Sequence, residues 1–171
     1  MKNIDKPDTQ NIGNAGEYFV ASVLSANGFI TTITLGRAEA YDIIAISPKT
    51  KKAIKIQVKT SWSQNGWQLS EKDEKSDDDQ FYIFVNLNEF KKCPEYWVFE
   101  SRVVSKYLIE SHNSWLITPG KYGQKHNPTK MRKFIIKKDD HTPIWFDEKY
   151  IKDKCKEAHN NINIILEIDK M

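Results

Sequence analysis

The segment from Ala53 to Trp62, AIKIQVKTSW, places an amide and an ammonium group on one face of a predicted strand. Apolar and polar residues alternate through it, which is the pattern of a strand with one buried face and one face open to water. Gln57 and Lys59 are two residues apart on the open face, so their side chains leave it about 7 Å from each other. An amide and an ammonium group at this spacing can form a polar site if carboxylate side chains lie next to them.

Two carboxylates are candidates to join Gln57 and Lys59. Asp42 comes near the start of a short apolar segment, YDIIAIS, and the turn PKTKK that follows predicts an antiparallel hairpin with the strand above. We expect the register of this hairpin to pair Asp42 with Lys59. Glu17 lies in a predicted helix, on the flank of its apolar stripe, and could complete the cluster by packing over it.

This ordered set resembles the active-site motif of the PD-(D/E)xK, or restriction-endonuclease-like, nuclease superfamily. The matching residues are a helix glutamate, an aspartate at the start of one strand, and a glutamine and a lysine on the next: Glu17, Asp42, Gln57 and Lys59. The QVK variant is similar to what Mrr-type restriction enzymes carry. Downstream segments such as TSWSQNGWQLS and WLITPGKYGQKH resemble a bacterial branch of the superfamily. Tyr41 stands where the motif's name has proline.

The resemblance implies hydrolysis of phosphodiester bonds with a divalent cation, Mg²⁺ or Mn²⁺. Mg²⁺ binds oxygen ligands, usually one or two carboxylates together with water and substrate phosphate. Asp42 would be the first ligand, Glu17 a second, and Gln57 would offer an uncharged carbonyl oxygen. Lys59 would orient the attacking water or stabilise the developing phosphorane charge.

Glutamine in place of a carboxylate should weaken the binding of this cation. A unit charge about 4 Å from a cation contributes about 4 kcal/mol at an effective dielectric constant of 20, before desolvation takes much of it back. Substrate phosphate would have to supply part of the missing negative charge. We therefore expect tight cation binding to need DNA.

Basic and acidic residues are segregated along the chain, although the net charge is only +3. Residues 71–79 hold six acids and two lysines, whereas residues 121–138 hold seven basic residues and no acid. The basic segment could attract phosphate, or it could be a solvated loop and strand. Together with the hairpin turn and a following aromatic residue it gives the predicted nucleic-acid-binding residues, which are Lys49, Lys51, Lys52, Trp62, Lys121, Lys125, Lys130, Arg132 and Lys133. Phosphate contacts of this kind would make binding weaken with salt.

The elements that must position these residues follow an α/β pattern. A helix is predicted over Ile12–Asn27, and strands over Phe29–Leu35, Tyr41–Ser47, Ala53–Thr60, Phe81–Leu87 and Glu95–Glu100. A helix from Arg102 to about Glu110 capped by Ser101, a strand over Phe134–Ile136 and a late helix capped by Asp147 complete the order. We expect an α/β fold with a central mixed β-sheet flanked by helices, and the resemblance gives it an αβββαβ restriction-endonuclease-like core.

Length and composition predict one domain. The 171 residues are 39% apolar and 29% charged, a balance that supports a single core. Within it we expect a loose leader at residues 1–11, the core motif at 12–62, and the basic segment and a helix at 121–171. We expect no signal peptide, membrane span or histidine-rich metal site. Cys93 and Cys155 lie far apart in the sequence, which excludes a zinc-knuckle pattern. A disulfide between them stays open, and we expect a reducing cytoplasm.

Three functions remain open at this point. The first is a metal-dependent nuclease acting on DNA in bacterial defence, mobile elements or repair. The second is a non-catalytic protein of the same fold that binds nucleic acid or protein; Gln57 favours it and Lys59 opposes it. The third is an RNA-directed enzyme or a toxin nuclease, because a fold does not determine its function. A homodimer would suit the cutting of two strands, although no interface signature is present.

Overall fold

The computed structural model describes residues 5–34, 41–63, 66–136 and 148–168, which form four α-helices and seven β-strands. In chain order the elements are α1 Thr9–Ala26, β1 Ile30–Ile33, β2 Ile43–Ile46, β3 Ala53–Ser61, β4 Gly66–Ser70, β5 Gln80–Asn86, β6 Glu95–Glu100, α2 Ser101–Ile117, β7 Met131–Ile135, α3 Glu148–Ala158 and α4 Asn163–Ile168. Two short 3₁₀ turns lie at Glu71–Glu74 and Asn88–Phe90. No helix in these ranges combines the length and the apolar composition that crossing a bilayer requires.

The first helix begins earlier than its apolar pattern predicts. Asp8 caps it, because Oδ1 of Asp8 accepts a hydrogen bond from the Asn11 N–H at 2.8 Å. The helix therefore starts at Thr9 rather than at Ile12, inside the predicted leader. It ends before Gly28, whose φ of +86° suits glycine, and this end was predicted correctly. The buried stripe of α1 consists of Ile12, Gly16, Val20 and Leu24.

Five strands form one mixed sheet in the order β1-β2-β3-β5-β6. The pairs β1–β2, β2–β3 and β5–β6 are antiparallel, whereas β3 and β5 are parallel. The predicted hairpin of β2 and β3 is therefore confirmed. The predicted class, an α/β fold with a central mixed sheet flanked by helices, is also confirmed.

The connection from β3 to its parallel neighbour β5 differs in detail from the αβββαβ order. Between Ser61 and Gln80 the described residues form β4 and a 3₁₀ turn instead of an α-helix. Strand β4 pairs with β7, which extends the predicted strand at 134–136 towards its N-terminus, in a separate two-stranded sheet. Helix α2 follows β6 and continues to Ile117, beyond the predicted Glu110. Ser101 lies inside α2 and its Oγ accepts a hydrogen bond from the Asp77 N–H, so it does not cap the helix as predicted.

The central sheet buries an apolar layer on each of its faces. On one face, Ile54, Ile56 and Val58 of β3 pack with α1. On the other, Tyr82 and Phe84 of β5 pack with α2 and the β4–β7 sheet. Because side chains alternate along a strand, Gln57 and Lys59 leave β3 on the second face. The late helix α3 buries Cys155 and Ala158, as its pattern predicted, while its predicted cap Asp147 lies outside the described residues.

Candidate active site

Asp42 stands immediately before β2, one residue beyond the last pair of the β2–β3 ladder, Ile43 with Ile56. The Asp42 N–H also donates to the Ile56 carbonyl, at 2.8 Å. The predicted pairing of Asp42 with Lys59 is therefore wrong by two residues. Gln57 and Lys59 share one face of β3, and the Gln57 side-chain amide joins the Asp42 carboxylate to this pair by a hydrogen bond.

The carboxylate of Asp42 binds to β3 through one of its oxygens. Oδ2 accepts hydrogen bonds from the Val58 N–H at 2.7 Å and from the Gln57 side-chain amide. Strand β2 begins only at Ile43. The Asp42 carboxylate therefore accepts a hydrogen bond from a backbone N–H of β3 that lies beyond the regular ladder. Two donors on one oxygen fix the orientation of the group, and they join the predicted aspartate directly to the predicted glutamine.

Glu17 and Lys59 are close enough to this carboxylate to act on it electrostatically. Burial raises the pKa of Asp42, while the bond from Val58, the charge of Lys59 and the bond from Gln57 each lower it in part. Burial also raises the pKa of Glu17, and the negative charge of Asp42 raises it further. The structure therefore brings together the four residues of the motif: two carboxylates that disfavour each other's ionisation, one amide and one ammonium group.

Close packing of α1 against β3 accounts for the position of Glu17. Gly16 is buried, and its backbone lies against the Thr60 side chain with no space for a Cβ atom. The absence of a side chain lets the helix approach the strand here. The next residue, Glu17, is half-buried, and its carboxyl group lies within electrostatic range of Asp42.

A further acidic residue, Asp73, which the sequence analysis missed, is connected to this region through Tyr82. Tyr82 of β5 is the parallel neighbour of Gln57, is 3% exposed, and donates its hydroxyl proton to Oδ1 of Asp73 at 3.0 Å. Burial raises the pKa of this tyrosine, as do the charges of Asp73 and Asp42. Asp73 is itself held by the N–H and Oγ of Ser70. A tyrosine within an apolar strand was the one signal in the sequence, because a buried hydroxyl requires a partner.

An open cleft of about 530 Å³ adjoins Lys59 at the C-terminal end of β3. Its polar and aromatic lining includes Lys6, Thr9, Lys59, Trp62, Ser63 and Gln68. Trp62 is half-buried and packs edge-on against Phe90, with ring centroids 6.1 Å apart. The predicted stacking residue Trp62 therefore borders the cleft, although part of its surface serves the core.

Arg132 has a different environment from the one predicted. Its side chain is 8% exposed, its guanidinium pairs with Glu74, and it also donates to the carbonyls of Thr129 and Met131. Nε and Nη1 of the guanidinium are used by these partners. Arg132 therefore has a structural role, and its contact with nucleic acid stays a prediction.

The other predicted nucleic-acid-binding residues fall in two places. Lys121, Lys125 and Lys133 are exposed, and exposed Lys130 lies 3.6 Å from Glu71. Lys49, Lys51 and Lys52 lie in the β2–β3 turn, about 20 Å along the strand from Lys59 at 3.3 Å per residue. Lys51 donates to the Pro48 carbonyl within that turn. The structure therefore does not bring the turn lysines to the candidate site.

The donor set at Asp42 fits a hard divalent cation. Both bonds that described residues make to this carboxylate end on Oδ2, which leaves Oδ1 for an ion. The Gln57 amide donates through Nε2, so its carbonyl oxygen remains an acceptor. Within the described ranges, no three side chains of the His, Cys, Asp and Glu types form a metal-binding group. An ion held by Glu17 and Asp42 would need Gln57 and further oxygens, such as those of a phosphate, to complete its coordination.

Comparison with known proteins identifies the fold. No protein-family profile matches the sequence, and no curated protein is detectably similar to it. The bacterial homing endonuclease I-Ssp6803I matches with a TM-score of 0.57 at 15% identity, over 94% of this chain and 95% of that chain. The Holliday junction resolvase Hjc of Archaeoglobus fulgidus matches with a TM-score of 0.42 at 14% identity, over 72% and 83%. The first match extends over nearly the whole of both chains and shows that they share a fold.

Proposed function

We propose that this chain is a metal-dependent nuclease that hydrolyses phosphodiester bonds of DNA. The observation that carries the proposal is the hydrogen bond of Gln57 to Asp42, together with the electrostatic coupling of Lys59 and Glu17 to the same carboxylate. The shared fold with a homing endonuclease supports the same conclusion. A role in defence, mobile elements or repair would suit such an enzyme.

Asp42 and Glu17 would hold the cation, with the Gln57 carbonyl oxygen as an uncharged ligand. When bound, the divalent cation supplies Lewis-acid activation of the phosphodiester and of a water molecule. The raised pKa values of the two carboxyl groups fit this role, because a cation relieves both their burial and their mutual repulsion.

Lys59 would stabilise negative charge as it develops on the phosphate. Its ammonium group leaves the same face of β3 as Gln57 and borders the cleft. Preorganised charges of this kind act on the transition state more than on the ground state. The cleft would carry the phosphates on either side of the scissile bond, with Lys6 as a further cation and Trp62 as a base-contacting ring.

The test is a plasmid-nicking assay with Mg²⁺ or Mn²⁺ that compares the parent with Asp42→Asn and Lys59→Met. We expect both variants to lose at least about 10²-fold in rate. Lys55→Met is the matched control, because Lys55 leaves the same face of the same strand but pairs with Asp77 at 2.7 Å. Metal-dependent cleavage that survives in Asp42→Asn would refute the proposed site.

The amide at position 57 favours a second candidate, a nucleic-acid-binding protein of the same fold without catalysis. Gln57 donates to Asp42 and thereby engages the carboxylate that a cation would need. This candidate predicts salt-sensitive binding of DNA or RNA without cleavage of any form, and with equal affinity for the parent and Asp42→Asn. Testing single-stranded DNA, duplex DNA and tRNA in the same assay also separates a DNA enzyme from an RNA enzyme.

A further inference from the structure

A second cavity, of about 250 Å³, lies between the C-terminal half of α2 and strand β7. It is separate from the cleft beside Lys59, since the two share none of the described lining residues. Its walls are mainly aromatic, apolar and basic, and they include Ser111, His112, Trp115, Met131, Arg132 and Lys133. Among the residues of the described ranges that line it, none is acidic.

The wall formed by α2 belongs to a stack of three rings. His112 stacks with Trp115 at a centroid distance of 5.5 Å and an interplanar angle of 26°. His126, in the connection between α2 and β7, stacks with the same tryptophan at 4.2 Å and 24°. Burial and the nearby charge of Arg132 lower the pKa of His112, which favours its neutral form. His112 and Trp115 line the cavity with flat rings, against which another flat ring can pack face-on or edge-on.

The charge around these rings is positive. Arg132 is paired with Glu74, so these two side chains together carry no net charge. Lys133 is exposed and lines the cavity, and exposed Lys125 lies in the same connection as His126. An anionic ligand that carries a flat ring matches both features of the cavity, the cationic rim and the aromatic wall.

Lys133 connects this cavity to the cleft beside Lys59. On the β4–β7 sheet it is paired with Gln68, which lines the cleft. Its side chain also packs over Gly66, another residue of the cleft, with Cε 3.0 Å from the position of a Cβ added there. A strand that leaves the cleft across β4 would therefore meet Lys133 first and the ring stack next.

We propose that this cavity binds one unpaired nucleobase of the nucleic acid, with Lys133 contacting a phosphate beside it. The inference rests on the proposed function for the nature of the ligand, but it concerns a site that the hydrolysis itself does not use. The volume agrees, because pockets for drug-sized ligands begin at about 300 Å³ and a single base is smaller. Stacking of this kind tolerates any base sequence.

The test measures whether the bases of a strand contribute to its binding at Trp115. Fluorescence anisotropy in EDTA compares a labelled single strand with a strand of the same length that carries abasic sites, so that the phosphates match and no cleavage occurs. We expect the parent to prefer the strand with bases. Trp115→Ala should reduce this preference at least about 5-fold, as expected for the loss of one base stack. Tyr122→Ala is the matched control, an aromatic residue of the same connection that is 86% exposed, and should leave the preference unchanged.

Photocrosslinking provides a readout that needs no substitution. A strand with 5-iodouracil should form adducts with Trp115, His112 or His126 when the parent is irradiated and its peptides are mapped. Adducts confined to other residues, or a base preference equal in the parent and in folded Trp115→Ala, would overturn the inference. If the nuclease proposal alone is wrong, the parent protein will cleave no nucleic acid but will still prefer the strand that carries bases.

Discussion

Gly16 of α1 lies so close to Thr60 of β3 that a Cβ atom on residue 16 would stand 1.8 Å from Oγ1 of Thr60. This contact fixes where the helix crosses the strand. It therefore also fixes the position of the next residue, Glu17, relative to Asp42. The position of one carboxylate of the candidate site thus depends on the absence of a side chain one residue earlier.

Gly16→Ala should separate α1 from β3 and destabilise the protein by about 1–3 kcal/mol, as overpacking of a core does. Gly13→Ala is the matched control on the same helix, because nothing lies within 4 Å of a Cβ added there. It should stabilise the protein by about 0.5–1 kcal/mol through helix propensity. Chemical denaturation of both variants checks the signs. Two equal effects would contradict the packing account.

Gln57→Glu should convert the amide ligand into a third carboxylate. Without a divalent cation, the new charge faces Asp42 in place of a hydrogen bond, and we expect a loss of up to about 4 kcal/mol. With Mg²⁺ the melting temperature should recover, and the cation should bind at least tenfold more tightly, which corresponds to about 1.4 kcal/mol. Thermal melts with Mg²⁺ and with EDTA measure both effects. A Gln57→Glu variant that Mg²⁺ does not stabilise would count against a cation at this position.

Glu17→Gln should stabilise the protein at neutral pH and have little effect in acid. The pKa of Glu17 is raised in the folded protein, so the folded state binds its proton more tightly than the unfolded state does. Proton binding by Glu17 therefore stabilises the folded protein at pH values below the ordinary carboxyl pKa. This stabilisation is lost as the pH rises through the raised pKa of the folded state. Because the group is partly exposed, we expect a gain of only about 0.5 kcal/mol at pH 7. Melting curves at pH 4 and pH 7 test the sign, with Asp153→Asn, an exposed acid of α3, as the control.

Arg132→Ala and Lys133→Ala should separate structural from binding cations at neighbouring positions. Arg132→Ala leaves Glu74 without its partner and should cost about 3 kcal/mol of stability. Lys133→Ala should change stability by less than about 0.5 kcal/mol. It should weaken nucleic-acid binding and reduce the slope of log K against log salt by about 1. If Lys133→Ala leaves the salt slope unchanged, Lys133 does not contact phosphate.

Periodicity in the sequence was sufficient to predict the elements that carry the site. A period of two located Gln57 and Lys59 on one face of β3. The predicted register of the hairpin was wrong by two residues, yet Asp42 still contacts Gln57. The helical pattern likewise identified the flank position of Glu17. These are local properties, which a sequence expresses directly.

Contacts between distant segments could not be predicted in the same way. Arg132 meets Glu74 from 58 positions away, and Tyr82 meets Asp73 across a turn whose acids looked solvated. The register of the hairpin depends on the turn of six residues, 47–52. Lys51 in this turn has a φ of +62°, a conformation that lysine rarely adopts and that the sequence therefore does not predict. The pairing of β4 with β7 depends on the same kind of long-range packing.

The most direct test of the account is a crystal structure of the protein with Mn²⁺ and a short oligonucleotide, in which anomalous scattering locates the ion. We predict a peak about 2.1 Å from Oδ1 of Asp42, with the Glu17 carboxylate, the Gln57 carbonyl oxygen and a phosphate oxygen around it. The same crystals of Asp42→Asn should lack this peak. Bound nucleic acid with no ion at Asp42, or an ion coordinated only elsewhere, would contradict the central claim.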